Sequence, residues 1–195
     1  MKIFAFILSS VILVSCNLFS TRTPEEPDSD ATGYIPPTSY DLVIENLKNS
    51  LAEKNLNNYL LCFSDSSFTE IKNFNYIATP QIAAQNQTLF SNWGVESEEK
   101  YFNSMITASL DQVRPSLTFT DEQYQNFSDS IIFTSNYLLN INFNDQQSNN
   151  NYAGNLRIVL KNSPTGFWYI TSWYDFERED TELLTWSFLR SKYYY

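Results

Sequence analysis

The chain has 195 residues, a formal net charge of −10 and a sequence pI near 4.4. This acidity, with no long basic run, argues against nucleic-acid binding, which depends on neutralising phosphates, and against attraction to anionic lipid headgroups. The chain has no histidine and only four glycines, which excludes histidine-activated nucleophiles, imidazole zinc sites and glycine-rich phosphate loops. We therefore expect no metal site and no bound cofactor.

The first fifteen residues predict an export signal. Met1 and Lys2 precede a run from Ile3 to Val14 that is apolar except for Ser9 and Ser10, and this run has the length of a secretory signal. A membrane-spanning helix needs about 20 apolar residues, and polar residues end this run sooner. Plain secretion or an uncleaved anchor is the alternative.

The run Leu13-Val14-Ser15-Cys16 resembles the bacterial lipobox. The resemblance implies cleavage between Ser15 and Cys16 and fatty acylation of Cys16, so that lipid holds the protein on a membrane. Because Asn17 rather than Asp follows the cysteine, the resemblance also implies the outer membrane if the cell is Gram-negative. A single acyl chain gives only marginal anchoring, and bacterial lipoproteins usually carry two or three.

The next segment, residues 16–37, is predicted to be a disordered tether. It is rich in Ser, Thr, Pro, Glu and Asp, and such a composition cannot form a core. The folded domain is expected over residues 38–195, where about 155 residues suffice for one hydrophobic core.

Cys62 is the only cysteine besides Cys16. If Cys16 is lipidated, Cys62 has no disulfide partner. Its neighbours Leu61 and Phe63 are apolar, so we expect a buried thiol rather than a reactive one.

The first predicted helix begins at Thr38 or Ser39, because Thr38 and Asp41 have the spacing of a capping box. Its apolar residues recur at helical spacing: Val43, Ile44, Leu47 and Leu51. Asn55 interrupts the pattern, and a second helix is predicted over residues 56–63.

Three further segments precede the sheet. A short extended piece is predicted over residues 68–74. Pro80 is a favourable first residue for a third helix, predicted over residues 80–93, and a fourth helix is predicted over residues 97–109. Both of these helices are amphipathic enough to cover a sheet.

From Val113 onward the apolar period changes from 3.6 to 2, which predicts strands. The strands are expected over residues 116–125, 131–143, 152–160, 167–176 and 185–192. Helices followed by a run of strands predict an α+β fold. The acidic loop 177–182 lacks the spacing of a calcium site and is interpreted as a solvated turn.

Two segments resemble the nuclear transport factor 2-like superfamily, which includes SnoaL-like proteins and ketosteroid isomerases. One is the helix pair from Leu47 to Asp65 with its break at Asn55, and the other is the closing strand, residues 167–175, with its Trp-Tyr-Ile run. The resemblance implies a cone, in which a bent antiparallel sheet of four to five strands wraps around N-terminal helices on its concave face (a nuclear transport factor 2-like or cystatin-like fold), with a pocket at the open end. The helical material at residues 80–109 and the tail containing Trp186 depart from the family's plan.

Five residues are candidates for lining that pocket: Tyr59, Trp93, Trp168, Trp173 and Asp175. The aromatic side chains could equally be plain core, since 15 Phe, 13 Tyr and 4 Trp must be placed. In the isomerases an aspartate base and a tyrosine perform the chemistry. Tyr59 and Asp175 are the nearest counterparts, but neither aligns with a catalytic motif, so no catalytic residue is assigned. The competing interpretation is that Tyr59 packs the helix pair and Asp175 forms hydrogen bonds at a strand end.

These features favour a non-catalytic, lipid-anchored envelope protein that binds a small apolar ligand or another envelope protein. One alternative is a small isomerase or dehydratase whose pocket carboxylate is Asp175, Asp129 or Asp121. The other is a structural component of an envelope complex, which would show a contiguous apolar patch on the exposed face of the sheet.

Overall fold

The computed structural model describes residues 33–195. The predicted signal peptide, its cleavage position at Ser15 and the lipidation candidate Cys16 lie outside the described residues, as does the tether up to Thr32. Within residues 33–195 no helix is both long and apolar enough to cross a bilayer.

Helices dominate the first half of the described chain. They are α1 (Tyr40–Ala52), α2 (Leu56–Leu60), α3 (Ser66–Thr69), α4 (Pro80–Gln85), α5 (Gln87–Phe90) and α6 (Val95–Ala108), with the short strand β1 (Asn75–Ile77) between α3 and α4. The predicted first helix is confirmed, but its capping box is wrong, because Ser39 is the N-cap residue and makes no side-chain cap hydrogen bond. The predicted extended piece at 68–74 is also wrong in part, since Asp65 caps the single turn of α3 there. The predicted third helix is interrupted at Asn86, which leaves the helical region of backbone angles.

The second half forms the sheet and one last helix. The elements are β2 (Ser116–Asn126), β3 (Ser130–Asn140), β4 (Asn151–Asn162), β5 (Trp168–Phe176) and α7 (Trp186–Tyr193). The strand order is β1-β5-β4-β3-β2. Pairing is antiparallel from β2 to β5, whereas β1 lies parallel to β5 at the edge. The predicted α+β class and the first four predicted strands are confirmed.

Alternation along the strands places the core on one face of this sheet. In β3 the residues Ile131, Phe133, Tyr137 and Leu139 are buried, while Thr134, Asn136 and Leu138 between them point to the other face. The helices pack over the buried face, and α1 and α6 contribute apolar side chains to the same core. The predicted buried thiol is confirmed: Cys62 lies in this core and is not disulfide-bonded, and burial raises the pKa of its thiol.

The predicted last strand over residues 185–192 is wrong, because these residues form helix α7. A short run of aromatic and apolar residues fits a strand and a buried helix equally well. Here the fully buried residues Trp186, Leu189 and Arg190 follow the helical spacing i, i+3, i+4. The chain therefore ends with a helix that enters the interior.

Candidate functional site

Helix α7 brings two polar clusters together in the core. Trp186, Ser187, Leu189 and Arg190 on its inner face have no exposed surface. Buried polar groups are tolerated only when they are paired, so the partners of Ser187 and Arg190 define the chemistry of the interior. We call these sets the ion-pair cluster and the aspartate cluster.

The ion-pair cluster joins α6 to α7 and consists of Glu98, Arg190, Tyr59 and Trp93. Arg190 donates from Nε to Glu98 Oε1 at 2.9 Å and from Nη2 to Glu98 Oε2 at 3.3 Å, and both side chains are fully buried. Trp93 Nε1 donates to Glu98 Oε1 at 2.8 Å, and the Tyr59 hydroxyl donates to Oε2 at the same distance. Both oxygens of the carboxylate are therefore occupied.

Aromatic rings surround the Arg190 guanidinium. Its Cζ lies 4.0 Å from the ring centre of Tyr76, 4.5 Å from Trp173 and 5.1 Å from Trp186. A guanidinium over an aromatic face is attracted by the ring quadrupole, most strongly when it is desolvated. Burial is the largest single influence and lowers the pKa of Arg190, but the Glu98 carboxylate together with the surrounding tyrosines outweighs it, and the pKa lies above its usual value. Arg190 is therefore a permanent charge in the core.

The aspartate cluster holds the N-terminal end of α7 against the sheet and consists of Asp175, Tyr76, Tyr137 and Ser187. The backbone N–H and the hydroxyl of Ser187 donate to Asp175 Oδ2 at 2.6 and 2.5 Å. The hydroxyls of Tyr76 and Tyr137 donate to Oδ2 and Oδ1 at 3.1 and 2.8 Å. Tyr137 also accepts a hydrogen bond from the Trp186 N–H at 2.7 Å. A hydrogen-bond acceptor at the first turn satisfies an N–H group that has no partner within the helix.

Gly154 on β4 makes room for this arrangement. It pairs with Tyr137 across the strands, and a Cβ atom there would lie 2.6 Å from the Tyr137 hydroxyl oxygen and 2.6 Å from the Phe176 carbonyl oxygen. Such separations are well inside van der Waals contact. The absence of a side chain at this position lets Tyr137 reach both Asp175 and α7.

The structure unites four of the five predicted pocket residues and separates the fifth. Tyr59 and Trp93 bind Glu98, Trp173 stacks on Arg190, and Asp175 receives α7. Trp168 is half-buried elsewhere, with its ring edge-on to Tyr40 at 5.9 Å. That the five line a ligand pocket stays a prediction. The other two carboxylates considered as bases, Asp121 and Asp129, are both exposed.

Glu98 and Arg190 were not predicted as site residues, although the sequence carries a signal for one of them. Glu98 precedes Tyr101, Phe102 and Met105 by three, four and seven residues, so a carboxylate occupies the apolar stripe of α6. Arg190 follows Trp186 by four residues, but the incorrect strand prediction hid that spacing.

Two of the grooves on the surface of residues 33–195 differ in character. A polar groove of about 440 Å³ lies on the outer face of the sheet and includes Asp121, Asn136, Asn155 and Arg157 among its lining residues. An apolar groove of about 380 Å³ lies between α2, α3 and β5. Among residues 33–195 no group of three or more acidic or cysteine side chains is arranged to hold a metal ion.

Comparison with known proteins gives the fold a name. No protein-family model and no curated protein matches the sequence. A nuclear transport factor 2-like superfamily protein from Salmonella enterica serovar Typhimurium superposes with a TM-score of 0.53 and 10% identity, covering 72% of this chain and 89% of that one. The fold is nuclear transport factor 2-like.

Two further structures with this nuclear transport factor 2-like fold agree. A protein of this kind from Cytophaga hutchinsonii has a TM-score of 0.51 and 9% identity, covering 70% of this chain and 93% of that one. A protein from Novosphingobium aromaticivorans, provisionally named a scytalone dehydratase, has a TM-score of 0.52 and 10% identity, covering 69% and 78%. At such identities the likeness establishes the fold, and the fold hosts many unrelated functions.

Proposed function

We propose that this protein is a lipid-anchored envelope protein whose single α+β domain is a non-catalytic binding module. One observation supports the proposal that the domain is a non-catalytic binding module. The carboxylates inside the cone, Glu98 and Asp175, have both oxygens hydrogen-bonded to the protein's own side chains and to α7. A general base must reach the proton it abstracts, whereas these two carboxylates fix a helix. Recognition would then use the outer surface.

Lipid anchoring is supported by the apolar leader and the lipobox-like run ending at Cys16. The test is to express the full chain in a bacterium supplied with an alkyne-labelled fatty acid, beside a Cys16→Ser control. We expect acyl label and a mature N-terminus at Cys16 in the wild type only, with the protein in the membrane fraction. A soluble wild-type precursor that retains Met1 and carries no acyl mass would refute this part.

One observation favours the enzyme alternative. Asp175 is buried, and burial raises the pKa of its carboxyl despite the hydrogen bonds from Ser187 and Tyr137 that lower it. Buried carboxyls of raised pKa are common in active sites. Asp175 could act as a base only if α7 moved away to admit a substrate.

Hydrogen exchange separates the two functions. The Ser187 amide donates to Asp175, so its exchange rate reports how often α7 leaves the sheet. A binding module that uses its outer surface should protect the Ser187 amide as strongly as the amides of the central strands β3 and β4. Fast local exchange at Ser187 with protected strands would favour the enzyme.

The assembly alternative gains little from the sheet. Its outer face carries Thr134, Asn136, Asn155 and Arg157 near the centre, and this is a mixed polar surface. An interface with another envelope protein would need a larger apolar patch there.

A further inference from the structure

The apolar groove beside α2 and α3 exposes large hydrophobic side chains to solvent. Its apolar side chains are Leu60, Leu61, Phe63, Phe68, Val95 and Tyr169. Phe63 is buried at its floor, whereas Leu61 is 50% exposed and Phe68 is 83% exposed at its rim. Leaving a large aromatic side chain in water forgoes the free energy of burial, so this exposure points to an occupant.

Local structure holds Phe68 outward. It lies in the single turn of α3, where Asp65 Oδ1 accepts from the Ser67 N–H at 2.9 Å. The next residue, Thr69, is buried, and its hydroxyl donates to the Asp65 carbonyl oxygen at 2.8 Å. Glu70 then ends the turn in the left-handed conformation with φ 58°. The hydrogen-bonded turn therefore holds the Phe68 ring outward, and the exposure does not come from a frayed segment.

The chain enters the domain beside this groove. The hydroxyl of Tyr34 lies 3.5 Å from the carbonyl oxygen of Leu61, a rim residue. Ile35 is fixed to α1, because its N–H donates to Asn46 Oδ1 at 2.9 Å and its carbonyl accepts from Asn46 Nδ2 at 2.6 Å. Ile35 is itself 40% exposed. The described part of the chain therefore begins close to the apolar rim.

The length of the segment between Cys16 and the described structure limits how far a lipid anchor can lie from the groove. Sixteen residues, 17–32, separate Cys16 from Gly33, and such a linker spans about 55 Å at most when extended and about 20–25 Å on average as a coil. A lipid on Cys16 would keep a bilayer within that distance, where even a weak contact is favoured by the high effective concentration.

We propose that the rim formed by Leu61 and Phe68 inserts into the interface of the bilayer that anchors the protein, with zwitterionic phospholipid as its ligand. This inference rests on the proposed lipid anchor. Aromatic rings with nearby polar groups favour the headgroup level of a bilayer, and Asn57 and Asp65 border the groove. The net charge of −10 favours neutral over anionic lipid, so contact depends on apolar insertion and survives high salt.

Site-specific fluorescence quenching tests this contact. The mature chain, residues 16–195, carries Phe68→Trp and is attached through Cys16 to phosphatidylcholine vesicles with brominated acyl chains. The matched control is Phe127→Trp, at an exposed phenylalanine in the β2–β3 turn. Emission from the native tryptophans is subtracted using the wild type, in which Trp93, Trp173 and Trp186 are fully buried.

We expect bromine to cause a loss of emission from the Phe68→Trp protein and none from the control. Equal loss at both positions, or none at either, would overturn the proposal. A change in the emission of the Phe68→Trp protein that depends on protein concentration in the absence of vesicles would overturn it in favour of a second copy as occupant. Acylation is read separately by mass spectrometry. If Cys16 carries no lipid, its thiol is coupled to a maleimide lipid, since Cys62 is buried, and the same readout decides insertion independently of the natural anchor.

Discussion

At the scale of single residues, Asp175 decides how the interior responds to pH. Burial raises the pKa of its carboxyl above the usual 3.8, and the hydrogen bonds from Ser187 and Tyr137 only partly oppose this. The folded protein therefore binds this proton more tightly than the unfolded chain does. The stability that Asp175 contributes is fully present below pH 3.8 and is lost as the pH rises through the raised folded pKa.

The variant Asp175→Asn isolates this effect, because it keeps the size of the side chain but does not titrate. Its amide N–H groups face hydroxyl and N–H donors, so we expect it to be less stable than the wild type by about 1–3 kcal/mol at pH 4. The difference should shrink as the pH rises from 4 through the raised folded pKa. Urea unfolding at each pH measures it.

Asp129→Asn is the matched control, since hydrogen bonding to Ser130 lowers the pKa of that exposed carboxyl. The difference between this variant and the wild type should change with pH in the opposite sense. A wild-type advantage over Asp175→Asn that grows with pH would contradict the raised pKa.

At the scale of elements, the Glu98–Arg190 pair fastens α6 to α7. Removing one partner leaves the other charge buried without its counter-ion, so Glu98→Gln or Arg190→Met alone should cost about 3–5 kcal/mol. The double variant removes both charges and should cost clearly less than the sum of the two. A double-mutant cycle on the free energy of unfolding gives the coupling. Additive losses would mean that the pair merely fills space.

Strands β3 and β4 and helix α7 show how much of the structure the sequence could predict. In β3 and β4, alternation over eleven and twelve residues exceeds what a helix could imitate, and these strands were predicted nearly to their ends. In α7, eight residues rich in aromatic side chains satisfy either period, and the contacts of Ser187 with Asp175 and of Arg190 with Glu98 fix the helix. Glu98 was missed because a carboxylate on an amphipathic helix ordinarily faces solvent. Its burial depends on Arg190, which lies 92 residues later.

At the scale of the whole molecule, α7 closes the cone that the other elements form. It contributes Trp186 and Leu189 to the core, supplies the counter-ion of Glu98, and donates two of the four hydrogen bonds to Asp175. The cone and its closing helix are therefore one cooperative unit, and a ligand pocket in the interior would compete with α7 for the same polar groups.

Ending the chain after Leu184 tests this dependence. The truncated protein would expose apolar core and leave the Glu98 carboxylate without its counter-ion, and these losses together rival the whole stability of a domain, about 5–15 kcal/mol. We expect no cooperative urea transition and no near-ultraviolet circular dichroism. Removing only Tyr195, which is 91% exposed, should leave both signals intact. If the truncated chain instead folded cooperatively, the vacated interior would be lined by Tyr59, Trp173 and Asp175, and saturable binding of an apolar fluorophore there would revive the predicted ligand pocket.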